Sequence, residues 1–159
     1  MNALRVLMVS LLGLTALGTL GFSAEKETPA VSPTKTVRPF NGKDLSGFST
    51  WLKDSGREDP QGAFSVKDGV IRVSGEGMGY LATKQSYRNY HLVVEYKWGK
   101  KTDGSKYVRN SGVLLHAVGP DGGRGGLWMT SLECQLAQGC EGDFIVIRGQ
   151  DEDGKAIPG

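Results

Sequence analysis

Residues Phe64–Val73 read Phe-Ser-Val-Lys-Asp-Gly-Val-Ile-Arg-Val, and this stretch carries the clearest secondary-structure signal in the chain. Its centre, Asp68-Gly69, suits a type I′ turn, because both central residues of that turn need a positive φ. Folding the chain there places Phe64 opposite Val73 and Val66 opposite Ile71, so that four apolar side chains share one face. Turn chemistry and period-2 alternation therefore predict the same β-hairpin.

Further strand-like stretches follow on the C-terminal side of this hairpin. Tyr90–Trp98 alternates between a largely aromatic and aliphatic face and a mostly polar one. Strands are also predicted over Gly112–Val118, Leu132–Ala137 and Phe144–Arg148, and the first of these, apolar on both faces, is predicted to be central. Short strands between Gly-rich turns, without amphipathic helices, predict an all-β fold: a β-sandwich or jelly roll.

Composition agrees with a turn-rich chain and excludes one class of partner. Gly accounts for 24 of the 159 residues without a collagen-like period, which favours many turns over long helices. The formal net charge is only +2, and no basic patch carries interleaved aromatics, so nucleic acid is not an expected partner. Cys134 and Cys140 allow two alternatives, a disulfide or free thiols.

The N-terminus has the features of an export signal. Arg5 precedes an apolar run over Val6–Phe22, and small residues follow at Ser23-Ala24. Residues 1–24 are predicted to be a signal peptide, which would make the protein periplasmic or extracellular. If that segment is not cleaved, it is the one expected membrane contact. Residues 25–38 are predicted to be a disordered linker and residues 39–159 a single β-sandwich domain.

Six short motifs together resemble the 3-keto-disaccharide hydrolase family, formerly domain of unknown function 1080. In chain order they are Phe40-Asn-Gly-Lys-Asp-Leu-Ser-Gly-Phe48 with Trp51 after it, Val66-Lys-Asp-Gly-Val-Ile71, Gly79-Tyr-Leu-Ala-Thr83, Tyr87-Arg-Asn-Tyr-His-Leu-Val-Val-Glu-Tyr96, Arg109-Asn-Ser-Gly-Val113 and Glu133-Cys-Gln-Leu136. No single motif is specific, but six in family order are. The resemblance implies a concanavalin A-like jelly roll. Motifs of the family's later strands are missing, so a C-terminally truncated member is expected.

The resemblance also implies an activity. Some relatives cleave glycosides whose C3 hydroxyl has been oxidised by a separate enzyme. The chain is accordingly expected to be an exported carbohydrate-active protein, a hydrolase or lyase of 3-keto-glycosides, with a carbohydrate substrate and an upstream sugar 3-oxidoreductase as partners. One alternative is a non-catalytic carbohydrate-binding module that uses the same surface, and another is an interaction module of a larger envelope protein, since fold alone does not fix function.

Three residues are candidates for catalysis: Glu133, His116 and Arg109. Glu133 or His116 would remove the proton next to the C3 ketone, and Arg109 would stabilise the resulting enolate. Each has a structural alternative. Glu133 would lie on a solvated strand face, His116 would be a hydrogen-bonded strand histidine, and Arg109 would belong to a turn.

Four further residues are candidates for substrate binding: Gln135, Asn110, Trp128 and Glu95. Gln135 shares a strand face with Glu133 and could hold sugar hydroxyls, while Trp128 could stack on a pyranose ring. A solvated face or local turn chemistry would equally explain Asn110 and Glu95. No metal-ligand cluster or cofactor motif is evident, and a divalent metal ion stays an open alternative.

Overall fold

The structure is a computed structural model that describes residues 29–100, 104, 106 and 108–158. Within these residues the regular elements are all β-strands, which confirms the all-β class. The strands are β1 Phe48–Leu52, β2 Phe64–Lys67, β3 Val70–Val73, β4 Gly79–Thr83, β5 Gly112–Val118, β6 Thr130–Gln135 and β7 Phe144–Ile147. β1 pairs with β4, β2 pairs with β3, and the remaining strands form a sheet in the order β5-β6-β7, all antiparallel.

The N-terminal predictions fall partly outside this range. The predicted signal peptide, residues 1–24, lies outside the described residues, as do residues 25–28 of the predicted linker. Farther along that linker, Val31 donates its N–H to the Ser86 carbonyl at 2.9 Å and accepts from the Arg88 N–H at 2.9 Å. The stretch around Val31 is thus attached to the chain that follows β4. In the described part of the protein, no helix has the length and apolarity to cross a membrane.

β2 and β3 form the predicted hairpin in the predicted register. Phe64 lies opposite Val73, and Val66 lies opposite Ile71. Asp68 and Gly69 have φ values of 54° and 72°, as a type I′ turn requires. The local sequence alone therefore defines this element.

The three-stranded sheet differs from expectation in its order. β6 is the central strand and β5 is an edge of the sheet, so the prediction that Gly112–Val118 is central was wrong. Apolar side chains on both faces therefore did not mark a central strand, since the residues of β5 are half-buried or exposed. The β5–β6 register shifts between Leu115 and Val118, and His116 there has a φ of 53°. This is a β-bulge, which bends and twists the edge strand.

The predicted strand over Tyr90–Trp98 was also wrong. This segment has no ladder partner among the described residues, and Leu92, Val93 and Val94 are all exposed. Alternation describes how side chains would divide between two faces, but a strand forms only where a neighbour accepts and donates its backbone hydrogen bonds. Tyr96 and Trp98 pack edge-to-face instead, with their ring centroids 5.8 Å apart.

The opening motif makes a side-chain-braced turn before β1. Asn41 Oδ1 accepts from the N–H groups of Lys43 at 2.7 Å and Asp44 at 2.9 Å. Asp44 Oδ1 accepts in turn from the Ser46 N–H at 2.9 Å. Hydrogen bonds from Ser46 and Asn41 lower the pKa of Asp44 to about 2, because they favour its charged form.

The buried part of the protein lies around the β1–β4 pair and the central strand β6. Leu52 of β1 and Tyr80 of β4 are buried apolar residues of the first region. In β6, by contrast, the buried residues are polar: Thr130, Ser131 and Gln135. Polar groups in such a position need partners or a role, because an unpaired buried polar atom is costly.

Candidate functional site

An open depression of about 440 Å³ lies against β6 and β7. Its lining combines a carboxylate, an indole, two guanidinium groups and aliphatic side chains, from Arg124, Trp128, Glu133, Ile145, Val146, Ile147 and Arg148. A concave surface that joins apolar side chains with a few charged ones is the usual form of a small-ligand site. We call this depression the Glu133 site.

Glu133 lies in the middle of the sheet. On β6 it is directly opposite Leu114 of β5 and Ile145 of β7, and it is half-buried. Burial among these side chains raises the pKa of Glu133, since removal from water disfavours the charged form. A carboxyl group with a raised pKa is a stronger base when it is ionised, which suits proton transfer.

Gly112 of β5 makes the space for the Glu133 side chain. A Cβ atom added at Gly112 would lie 2.6 Å from both Cγ and Cδ of Glu133, and closer still to Oε1. Any larger residue would therefore collide with the carboxyl group. The Gly in the Arg109–Val113 motif thus has a packing role in the site.

Trp128 and Arg124 reach the site from the Gly-rich loop of residues 119–128. The Arg124 N–H donates to the Trp128 carbonyl at 2.7 Å, and the Trp128 N–H donates back to the Arg124 carbonyl at 3.3 Å. These two bonds fix the backbone positions of Arg124 and Trp128 relative to each other. Gly122, with a φ of 72°, allows the tight turn before them.

The β1–β4 pair anchors this loop. The Tyr80 hydroxyl donates to the Asp121 carboxylate, and Arg57 forms an ion pair with the same carboxylate at 2.7 Å. Burial, and then the bond to Asp121, raise the pKa of Tyr80 well above its ordinary value. Trp51 Nε1 donates to the Gly126 carbonyl at 3.1 Å. The loop is therefore fixed by two side chains of the β1–β4 pair, Trp51 and Tyr80, and by Arg57 from the loop that follows β1.

Arg148, directly after β7, completes the rim. Arg124 Nη1 donates to the Arg148 carbonyl at 3.3 Å, and the next amide, that of Gly149, donates to Thr130 Oγ1 at 2.9 Å. A second open depression, of about 410 Å³, lies beyond these arginines, lined by residues 123–125 and 148–150 and by Ala156. Arg124 and Arg148 line both depressions.

The structure brings together only part of the predicted site. Glu133 and Trp128 line one depression. Gln135 shares the strand face of Glu133 but is buried opposite Gly112, and its Oε1 has no hydrogen-bond partner in the described part of the chain. It stands beside the site rather than in its lining.

The other four candidates do not line the Glu133 site. His116 is exposed at the β5 bulge, where its ring stacks on Tyr90 with centroids 6.3 Å apart. Arg109 and Asn110 precede β5, and the Arg109 carbonyl accepts from the Gln138 N–H at 2.9 Å. Glu95 is exposed in the segment that was predicted to be a strand.

Sequence reasoning missed Arg124 and Arg148. Arg124 had a signal, since it is the one charged residue among the glycines just before Trp128. Arg148 had no such signal in the sequence, because the end of β7 lies beside the loop of residues 119–128 only in the folded protein. The structure also shows both cysteines as free thiols, Cys134 half-buried in β6 and Cys140 exposed. In the described ranges, no three His, Cys, Asp or Glu residues converge as metal ligands would.

Comparison with known families identifies the class of protein that this all-β fold and open site belong to. A family model described as a 3-keto-alpha-glucoside-1,2-lyase-like domain matches residues 35–156. The chain therefore belongs to this family, as the six motifs predicted, and the membership supports a carbohydrate-active role. No curated protein and no solved structure matches the chain.

Proposed function

We propose that this protein cleaves 3-keto-glycosides by β-elimination, with Glu133 as the base. The observation that carries the proposal is the half-buried Glu133, with its raised pKa, in an open depression beside Trp128. Membership of a 3-keto-glycoside lyase-like family supports this choice of substrate class.

The chemistry needs one well-placed base. The ketone at C3 makes the hydrogen on C2 acidic, and the Glu133 carboxylate removes it as a proton. The electron pair forms an enolate, which then expels the substituent at C1 with its oxygen as the leaving group. Protonation of that oxygen gives the free alcohol and an unsaturated 3-keto sugar, and addition of water to this product completes a net hydrolysis.

The same scheme explains why a single carboxylate suffices. Ordinary glycosidases use two carboxyl groups about 5–9.5 Å apart, one on each side of the bond that breaks. Glu133 is the one carboxylate that lines this depression. Elimination from a 3-keto sugar does not require the second, since the ketone itself activates the substrate.

Roles for the other lining residues follow from their chemistry. Trp128 offers an aromatic face on which a pyranose ring can stack. Arg124, held by its bond to the Arg148 carbonyl, offers a cation for the developing enolate oxygen. We favour Arg124 over Arg109 in this role, and Glu133 over His116 as the base, because Arg124 and Glu133 line the same depression.

The proposal includes a location and a supplier. The apolar run after Arg5 supports export to the periplasm or the medium. The substrate would come from a separate oxidoreductase that converts the C3 hydroxyl of a glycoside to a ketone. Fractionation of cells that express the full gene tests the location, and protein found only in the cytoplasm would contradict it.

The deciding experiment incubates the purified protein with matched disaccharides, one set plain and one set oxidised at C3, and follows the products by mass spectrometry. Release of monosaccharide from the 3-keto set alone is expected. Early product that is one water lighter than the 3-keto sugar would support elimination. Replacing Glu133 with Gln should lower turnover by at least ~10²-fold. Arg72→Gln, at an exposed position of β3 that lines neither depression, serves as the control. Binding of plain sugar without turnover of either set would favour the carbohydrate-binding alternative.

A further inference from the structure

The two depressions that share Arg124 and Arg148 have different charge. The Glu133 site contains a carboxylate, whereas the lining of the second depression contains the two arginines and no acidic residue. In the described part of the chain the ion pair of Arg57 with Asp121 is the only one, so no carboxylate there neutralises Arg124 or Arg148. The second depression is therefore lined by two arginines that form no ion pair with the described residues and by no acidic side chain.

Local structure holds the Arg124 guanidinium beside the backbone of Arg148. Arg124 is tied at Nη1 to the Arg148 carbonyl, so the two residues cannot separate without breaking that bond. The Gly149 amide bonds to Thr130, which fixes the chain beside Arg148. The nearest acid in sequence, Asp151, has its Oδ1 engaged by the N–H groups of Asp153 and Lys155 at 3.1 and 2.8 Å.

Glycines allow the two chain segments that line the second depression to approach each other closely. A Cβ added at Gly123 would lie 2.7 Å from the Gln150 carbonyl oxygen, and one at Gly149 would lie 2.9 Å from Thr130 Oγ1. A side chain at either position would push the contacting segments apart. The shape of the second depression therefore depends on this close backbone approach.

We propose that the second depression is a subsite for an acidic sugar unit, whose carboxylate or sulfate group binds Arg148 and Arg124. Guanidinium groups recognise such oxyanions through paired, charge-assisted hydrogen bonds. The inference rests on the proposed function, because it places the reacting sugar against Glu133 and Trp128 and the acidic unit next to it. Glu133 itself repels an anion, which directs the acidic group to the far side of the arginines.

Isothermal titration calorimetry on the full chain tests the subsite with three disaccharides that differ only at C6 of one unit: a neutral alcohol, a carboxylate and a sulfate ester. The acidic sugars should bind roughly 10- to 100-fold more tightly than the neutral one, the range for hydrogen bonds to charged groups. Comparison of the carboxylate with the sulfate identifies which oxyanion the subsite prefers. Arg148→Gln should remove the preference, Arg148→Lys should retain part of it, and Arg72→Gln, an exposed arginine of β3, should change nothing.

Equal affinity for all three sugars, or no binding of any, would overturn the proposal. So would a preference that survives both Arg148→Gln and Arg124→Gln in variants whose circular dichroism matches the parent. The sugars are not oxidised at C3, so this measurement does not depend on turnover. If the acidic sugars bind more tightly but no 3-keto sugar is cleaved, only the proposed reaction is refuted. If 3-keto sugars are cleaved but acidic sugars bind no more tightly than the neutral one, only the subsite is refuted.

Discussion

Gly112→Ala offers a sharp test of the site, because it changes no polar atom and yet displaces the proposed base. The new Cβ would lie 2.6 Å from Cγ and Cδ of Glu133. Non-bonded carbon atoms prefer separations of about 3.5–4.0 Å, so the carboxyl group would have to move by about 1 Å. A misplacement of that size can cost about 10²-fold in rate, which corresponds to about 2.7 kcal/mol in the activation free energy.

The assay is the initial rate of alcohol release from a 3-keto disaccharide. Gly99→Ala is the matched control, because a Cβ there meets nothing within 4 Å. A double variant tests whether Gly112→Ala acts through Glu133. In a Glu133→Gln background, Gly112→Ala should lower the rate almost no further, because the carboxylate that it displaces is already absent. A Gly112→Ala protein with the parent's rate would refute the reasoning, as would full additivity of the two changes.

Three predictions concern stability. Glu133→Gln should stabilise the protein near neutral pH and lose that advantage below about pH 4. The reason is that the pKa of Glu133 is raised in the folded protein, so the free energy of unfolding falls as the pH rises past 4.5, the ordinary pKa of a glutamate. A difference in urea unfolding that does not change with pH would contradict this. Asp121→Ala should cost about 1–3 kcal/mol by leaving the buried Tyr80 hydroxyl unpaired, whereas Arg57→Gln should cost at most about 1 kcal/mol. Gly69→Val should cost about 1–2 kcal/mol, because its φ of 72° is left-handed; an unchanged melting temperature would show that the turn is not type I′.

The hairpin and the Tyr90–Trp98 segment show where sequence reasoning succeeded and where it failed. Both segments alternate well, but only the hairpin includes its own partner strand, joined through the Asp68-Gly69 turn. The partner of a strand such as Tyr90–Trp98 would have to come from elsewhere in the chain. Alternation carries no information about that, and the segment is irregular and exposed.

The position of β5 shows that the sequence pattern of a strand does not determine its place in the sheet. Its bounds, Gly112–Val118, agree with the prediction residue for residue. Its place at the edge does not, because apolar side chains on two faces carry no information about the number of hydrogen-bonded neighbours of a strand. Strand order depends on contacts between residues that are distant in sequence.

The candidate site was also predicted only in part. Glu133 and Trp128 could be selected from residue type and motif, and they do line one depression. His116 and Arg109 were selected on equally good chemistry but lie elsewhere, since a bulge turns His116 outward and Arg109 precedes the edge strand. Arg148 enters the site through the β6–β7 pairing, which its neighbours in sequence do not reveal.

The sequence by itself determined the all-β class, the hairpin with its register, and the family, because these depend on local turn chemistry, alternation and short motifs in order. The tertiary structure alone decided which charged groups share a depression. Tyr80 and Arg57 reach across from the β1–β4 region to hold Asp121, and this contact sets the loop that brings Arg124 and Trp128 beside Glu133. These contacts join segments that are far apart in the chain, and local sequence patterns carry no information about which distant segments pack together.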